Sequence, residues 1–181
     1  AAAACIGLSG SRAGPPALRW EGAALGAEAS LTLDHPDPVR ARRLLARALG
    51  EIDRLDRIFS LQRDDSSVSR LNRDGRLARP PAELVAVLEL AGRVSALSGG
   101  AFDVTVHPLW RVLAATAGGP PAEQRDLARA AALIDWRAVE ATHSAVALAR
   151  PGMAITLNGI AQGYITDRVA DLLRDGGLDH A

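Results

Sequence analysis

Two adjacent glycines, Gly99 and Gly100, close a long apolar-periodic segment and open the stretch LSGGAFDVTVHPLW over Leu97–Trp110. A glycine pair ends a helix readily and frees the backbone for conformations that side-chain-bearing residues avoid. Asp103 follows at once, then Thr105 and His107 in alternation, until Pro108 stops the run. A second stretch, AITLNGIAQGYITDR over Ala154–Arg168, predicts a strand from Ala154 to Asn158 that breaks at Asn158-Gly159 and enters a helix. Backbone N–H groups at such a strand-to-helix turn are free to meet an anion. The chain must therefore bring two glycine-bearing bends into a frame of helices and strands.

The rest of the chain supplies that frame. Gly10–Pro16 reads as a linker, and strands are predicted over Leu18–Ala23 and Ala27–Leu33. Asp34–Pro38 is a helix start, and Val39, Leu45, Leu49, Ile52, Leu55 and Phe59 recur at mostly helical steps after it. Ser60–Arg73 reads as a loop and short helix, with a turn at Asn72–Gly75 in which Ser66, Ser69 and Asn72 suit capping. A second long helix is predicted over Pro80–Ser98, a short helix after Trp110, another over Ala122–Leu133, and one over Ile160–Arg174 closed by Gly176-Gly177. Val139–Thr142 and Ala145–Ala149 predict a hairpin turning at His143-Ser144. This order gives an α+β fold, a mixed or antiparallel sheet flanked by long helices, rather than repeating βαβ units.

Charge and cysteine content narrow the chemistry. Among 181 residues the 21 basic and 21 acidic groups cancel, so nucleic acid is not an expected partner. Every basic residue is arginine, which removes Schiff-base lysines and Walker-type lysines. One cysteine, Cys5, leaves neither an internal disulfide nor a multi-cysteine metal site. It stands behind AAAA, like the cysteine of a bacterial lipoprotein signal, although Ala2 occupies the place of the usual branched residue. Residues 1–17 thus read as a flexible N-terminal segment, and Cys5 leaves two readings open: an apolar residue in a frayed terminus, or the lipid-bearing cysteine of a signal or lipoprotein remnant that anchors the protein to a membrane. His107 has no spaced His, Asp or Glu companions, so it reads as a lone histidine rather than a metal ligand.

Three ordered motifs carry a resemblance. SGGAFDVTVHPLW resembles the S-G-G-x-F-D-x-T-x-x-P-L segment of the ApbE family, the FAD:protein FMN transferases. ITLNGIAQGYITDRVADLL is similar to the segment around its G-I-A-K-G-Y-x-x-D, and FSLQRDDSSVSRLNRDG to its F-S-x-Y-R-x-x-S-x-x-x-x-L-N. The likeness runs from about Leu25 onward and identifies residues 18–181 as the N-terminal portion of such a transferase domain. The family's H-I-x-D-P segment and its acid-rich D-A-x-x-T segment, whose side chains bind Mg²⁺, have no counterpart before Ala181.

The resemblance also implies roles. Leu25-Gly26-Ala27 takes the place of a short M-G-T segment, so Leu25 is expected at the cofactor. Gln62 stands where the family has a tyrosine that stacks on the flavin, and it brings no aromatic face. Ala101, Phe102 and Asp103 are expected to contact FAD; taken alone, Asp103 also reads as a carboxylate capping a turn. Thr156 replaces a ligand-contacting Asp, and Gln162 replaces a Lys or Glu. Gly159 falls where a backbone carbonyl reaches the metal, while Asp167 matches the motif's aspartate. The implied activity is Mg²⁺-dependent transfer of FMN from FAD to a threonine hydroxyl of an extracytoplasmic (periplasmic) flavoprotein, releasing AMP. A second reading, prompted by Gln62, Thr156 and Gln162, is a non-catalytic FAD- or FMN-binding accessory protein for maturation of an extracytoplasmic redox enzyme. A third is a remnant that binds no flavin.

Overall fold

The computed structural model describes residues 5–9, 17–24 and 26–178, and it divides into two compact units. The first unit comprises residues 1–56 and 162–181, and the second residues 57–161.

In the first unit, β1 (Cys5–Ser9), β2 (Ala17–Ala24) and β3 (Ala27–Leu33) form an antiparallel sheet in that order. The β2–β3 hairpin follows the predicted strands, and Gly26 turns it with φ of 76°. Cys5–Ser9, read from the sequence as part of a flexible leader, instead pairs with β2, Cys5 opposite Glu21. Trp20 lies along the sheet so closely that a Cβ on Gly22 would run into its ring. Glycine two residues on is what lets the indole lie flat.

Helix α1 (Pro38–Phe59) begins in this unit. Pro38 needs no N–H acceptor at its first position, and Asp37 Oδ1 accepts from Val39 N at 2.8 Å and Arg40 N at 3.2 Å. Its buried face is Ala41, Leu44, Leu45, Ala48 and Leu55. Val39 was expected on that stripe but is 56% exposed, because it lies in the opening turn ahead of the packed face. Helix α6 (Asn158–Asp175) continues into this unit from Gln162 and buries Ile165, Val169 and Leu173. Gly177, with φ of 86°, ends it, and Arg40 Nη2 donates to Gly176 O at 2.7 Å.

The second unit is built on α2 (Ser67–Asp74), β4 (Arg76–Ala78), α3 (Ala82–Leu97), α4 (His107–Ala115), α5 (Gln124–Ala131), β5 (Val139–Ala141) and β6 (Ala145–Leu148). Its sheet is antiparallel in the order β4-β6-β5. The β5–β6 hairpin follows the sequence pattern; β4 does not, being three residues long and recruited by pairing Leu77 with Val146. Gly75 caps α2 with φ of 71°, as the Asn-Arg-Asp-Gly turn requires. Fully buried Phe59, Leu71, Leu84, Val87, Val146, Ile155 and Leu157 make the core. Two stretches form no strand, the alternating residues 103–107 and the predicted strand Ala154–Asn158. Residues 103–107 form a turn of 3-10 helix followed by the start of α4, and 153–157 is extended chain without a ladder partner. Pro108 explains the first, since a proline in the opening turn favours helix over a strand end.

Candidate functional site

Helix α3 ends at Ser98, and the next residues fold back tightly. Gly99 and Gly100 adopt φ of 62° and 87°, a left-handed pair that side-chain-bearing residues rarely adopt. The amides of this bend are spent within it: Gly100 N donates to Ser95 O at 2.8 Å and Phe102 N to Ser98 Oγ at 3.1 Å. The bend therefore offers a shaped wall rather than a row of free N–H groups.

Asp103 follows in extended conformation and opens the 3-10 turn. Its Oδ1 accepts from Thr105 N at 2.8 Å and from Thr105 Oγ1 at 2.6 Å, and its Oδ2 from Trp136 N at 3.0 Å. Thr105 Oγ1 in turn accepts from Asp135 N at 2.8 Å.

The second arm runs from Met153 to Gly159. With no strand partner among the described residues, it is held by side chain and backbone from elsewhere. Asn72 Nδ2 donates to Ile155 O at 2.9 Å while Ile155 N donates to Asn72 Oδ1 at 2.7 Å, so one amide side chain imitates a strand neighbour. Thr156 N donates to Val104 O at 2.8 Å and ties this arm to the first. Asn72, expected to cap a turn, instead fixes Ile155. Its place in the sequence, beside Gly75, concealed that partner.

The two arms enclose a hollow of about 410 Å³ lined by Ala101, Phe102, Asp103, Ile134, Thr156 and Gly159, with Gly100, Val104 and Val106 between. That size falls within the rough 300–1,000 Å³ of small-molecule sites. Gly159 belongs to the first turn of α6, where Thr156 Oγ1 accepts from Asn158 N at 3.4 Å and Leu157 O from Ile160 N and Ala161 N at 2.9 and 2.7 Å, so it is the helix dipole that favours negative charge there. A Cβ there would stand 3.4 Å from Phe102 Cε2, so glycine keeps the floor open.

The structure thus gathers Ala101, Phe102, Asp103, Thr156 and Gly159 around one hollow. Gln62 does not line it. The Gln62 Oε1 accepts from Ser60 Oγ at 3.1 Å, and the side chain is exposed. Gln162 lies one helical turn beyond Gly159 and lines a separate hollow in the first unit. Leu25 lies outside the described residues. Ile134, with Asp135 and Trp136 behind it, carries no motif and was not anticipated. Its only sequence signal is Asp135, whose side chain caps the next turn by accepting from Arg137 N.

His107 stands at the start of α4 with its ring stacked on Trp110, centroids 6.1 Å apart. Burial, and then the Arg111 guanidinium, hold its pKa below the ordinary imidazole value. Among the described residues no three His, Cys, Asp or Glu side chains gather as metal ligands.

This frame is that of flavin transferases of known structure. A variant of the flavin transferase ApbE from Vibrio cholerae superposes with a TM-score of 0.78 at 23% identity, covering 91% of this chain and 58% of that one. The sequence model of the ApbE family matches residues 25–181, and the chain belongs to that family. The FAD:protein FMN transferase of Salmonella typhimurium is 27% identical over 175 residues, 92% of this chain and 50% of that protein. One from Klebsiella pneumoniae is 30% identical over 148 residues, 76% of this chain and 45% of that protein. The chain spans about half the length of the curated relatives it matches.

Proposed function

We propose that this chain forms the flavin-nucleotide-holding part of a transferase that moves FMN from FAD to a threonine hydroxyl of a target flavoprotein and releases AMP. The observation that carries the reading is the shared hollow. Two motifs more than fifty positions apart in the sequence, Ala101–Asp103 and Thr156–Gly159, meet around one cavity at a helix N-terminus. A pyrophosphate is the anion that such a terminus favours, and Ala101 with Phe102 supplies an apolar wall for the attached ring.

Ground-state holding is what these residues can do. They orient the dinucleotide and exclude water from one side, so that an incoming hydroxyl meets a fixed phosphorus centre. Leu25 and Gln162 enter this reading as further contacts on the strength of the family motifs alone. Gln62 enters it on the same ground, as a residue off the hollow that brings no stacking ring.

Magnesium would neutralise phosphate charge in such a transfer. This chain's described residues fit it poorly. Mg²⁺ takes one or two carboxylates besides phosphate oxygens, yet Gly159 brings only a carbonyl and Asp103 already accepts three hydrogen bonds. The extracytoplasmic setting and anchoring through Cys5 belong to the same proposal and rest on the AAAAC sequence.

Incubating the protein with FAD, Mg²⁺ and an acceptor domain, and weighing the acceptor, tests the reading. Addition of FMN to a threonine supports it. Saturable FAD binding without any adduct favours the accessory protein, and absence of saturable binding removes both.

A further inference from the structure

The Asp103 carboxylate is turned into the protein. A carboxylate offers about four lone-pair sites. Three are taken, by Thr105 N, Thr105 Oγ1 and Trp136 N, at 2.8, 2.6 and 3.0 Å. Two of these donors lie two residues away, and the third comes from the far side of the cavity wall. Thr105, fully buried, extends the chain of bonds by accepting from Asp135 N at 2.8 Å. Between them Asp103 and Thr105 fasten the 3-10 turn to the backbone immediately after Ile134, a lining residue. Val104, caught between them, accepts from Thr156 N and so passes the constraint to the second arm.

We propose that Asp103 is a positioning residue: with Thr105 it clamps the segments that bear Phe102, Ile134 and Thr156 and sets the width of the hollow. This rests on the flavin reading and changes what Asp103 does within it, from touching the ligand to shaping its container. An amide at this position could not serve. Asn keeps one acceptor oxygen, and its NH₂ would face the N–H of Trp136 or of Thr105, two donors pointed at one another.

Thr105 provides the decisive test, because its side chain is buried and does not line the hollow. FAD affinity is measured by flavin fluorescence on the whole chain and on Asp103→Asn, Thr105→Val and Thr105→Ser, at a temperature where circular dichroism shows all folded. Leu77→Ala, in β4, serves as a variant destabilised away from the site. Asp103→Asn and Thr105→Val should each weaken FAD about tenfold, the scale of one lost hydrogen bond with its stranded partner. Thr105→Ser, which keeps the hydroxyl, should bind as the parent does, and Leu77→Ala should bind normally despite its lower melting temperature. Amide NMR shifts of Phe102, Ile134 and Thr156 should move together in ligand-free Asp103→Asn.

If Thr105→Val binds FAD like the parent while Asp103→Asn does not, Asp103 is a ligand contact and the proposal is wrong. It is equally wrong if Leu77→Ala loses as much affinity. Should the parent chain bind no FAD, the flavin reading fails by itself. The ligand-free amide shifts then still decide whether Asp103 sets the geometry of the three segments: unmoved shifts overturn it, and concerted shifts uphold it.

Discussion

Two hollows of nearly equal size lie in the two units, about 400 Å³ in the first and about 410 Å³ in the second. The first is walled by faces of regular structure: Trp20, Ala29 and Leu31 from the sheet, Ile52 from α1, Ile165 and Val169 from α6. The second is walled by chain that belongs to no ladder: a glycine bend, a 3-10 turn and an extended arm ending at a helix N-terminus. Volume does not separate them. Their difference lies in what the backbone does. In the first, the backbone belongs to a sheet and two helices that hold their own shape; in the second, side chains hold irregular backbone in place at a helix dipole. Holding irregular chain open against collapse needs dedicated side chains, and Asp103, Thr105 and Asn72 are those side chains.

The largest effect should come from cutting the second arm loose. Asn72→Ala removes both partners of fully buried Ile155 and should lower the unfolding free energy by about 3 kcal/mol, read by urea denaturation. A loss under about 1 kcal/mol would mean that the arm holds itself.

Filling each hollow in turn sharpens the contrast. Gly159→Leu, with its Cβ already at contact distance from Phe102, should reduce FAD affinity about tenfold or more in an equilibrium titration, one tenfold step being about 1.4 kcal/mol. Ala29→Leu, filling the first hollow, should leave that affinity unchanged. The reverse outcome would move the ligand to the first unit.

A smaller effect is expected at Ser66, which is fully buried at the N-cap of α2, accepting from Ser69 N at 3.0 Å and donating to Ser60 O at 2.5 Å. Ser66→Ala should cost about 1–2 kcal/mol by chemical denaturation without altering FAD binding.

The smallest effects separate the units by acidity. The His107 pKa lies below its ordinary value because burial and Arg111 disfavour the cation. The unfolded chain therefore binds that proton more readily. This contribution to stability is complete above about pH 6.5 and is lost as pH falls through that value toward the folded one. In the first unit Glu51 is held low chiefly by its hydrogen bond from Arg54, and Asp37 by the Arg40 and Val39 amides. Their contributions persist until pH falls toward the ordinary carboxylate range and are then lost. His107→Gln should flatten the melting temperature between pH 7.5 and 5.5, roughly the range where an imidazole titrates, and Glu51→Gln should flatten it only below about pH 5. A His107→Gln profile parallel to the parent's would show that its ring titrates alike in both states.

Much of the frame could be read before any coordinates. Helices α1, α3 and α6 announce themselves by apolar periodicity, α1 and α3 also by Pro38 and Pro81 at their starts, and α3 and α6 by the glycines after their ends. Those signals are local, since each depends on residues within a turn or two. The β5–β6 hairpin is legible for the same reason. Short β4 is not, because three residues carry no period and pair only once β6 is beside them. Residues 103–107 and 154–158 alternate like strands yet find no ladder, because alternation reports which side chains are apolar and not whether a neighbouring strand exists.

By itself the sequence determined where the long helices run, that glycine must occupy positions 75, 99 and 100, and which family motifs stand in which order. Only the tertiary structure decided that Asn72 would serve as a strand neighbour for Ile155, that Ile134 would close the wall, and that the Asp103 carboxylate would face Thr105 and Trp136. The reason is range. Propensity and capping act over four or five residues, whereas Asn72 meets Ile155 across 83 positions and Asp103 meets Trp136 across 33.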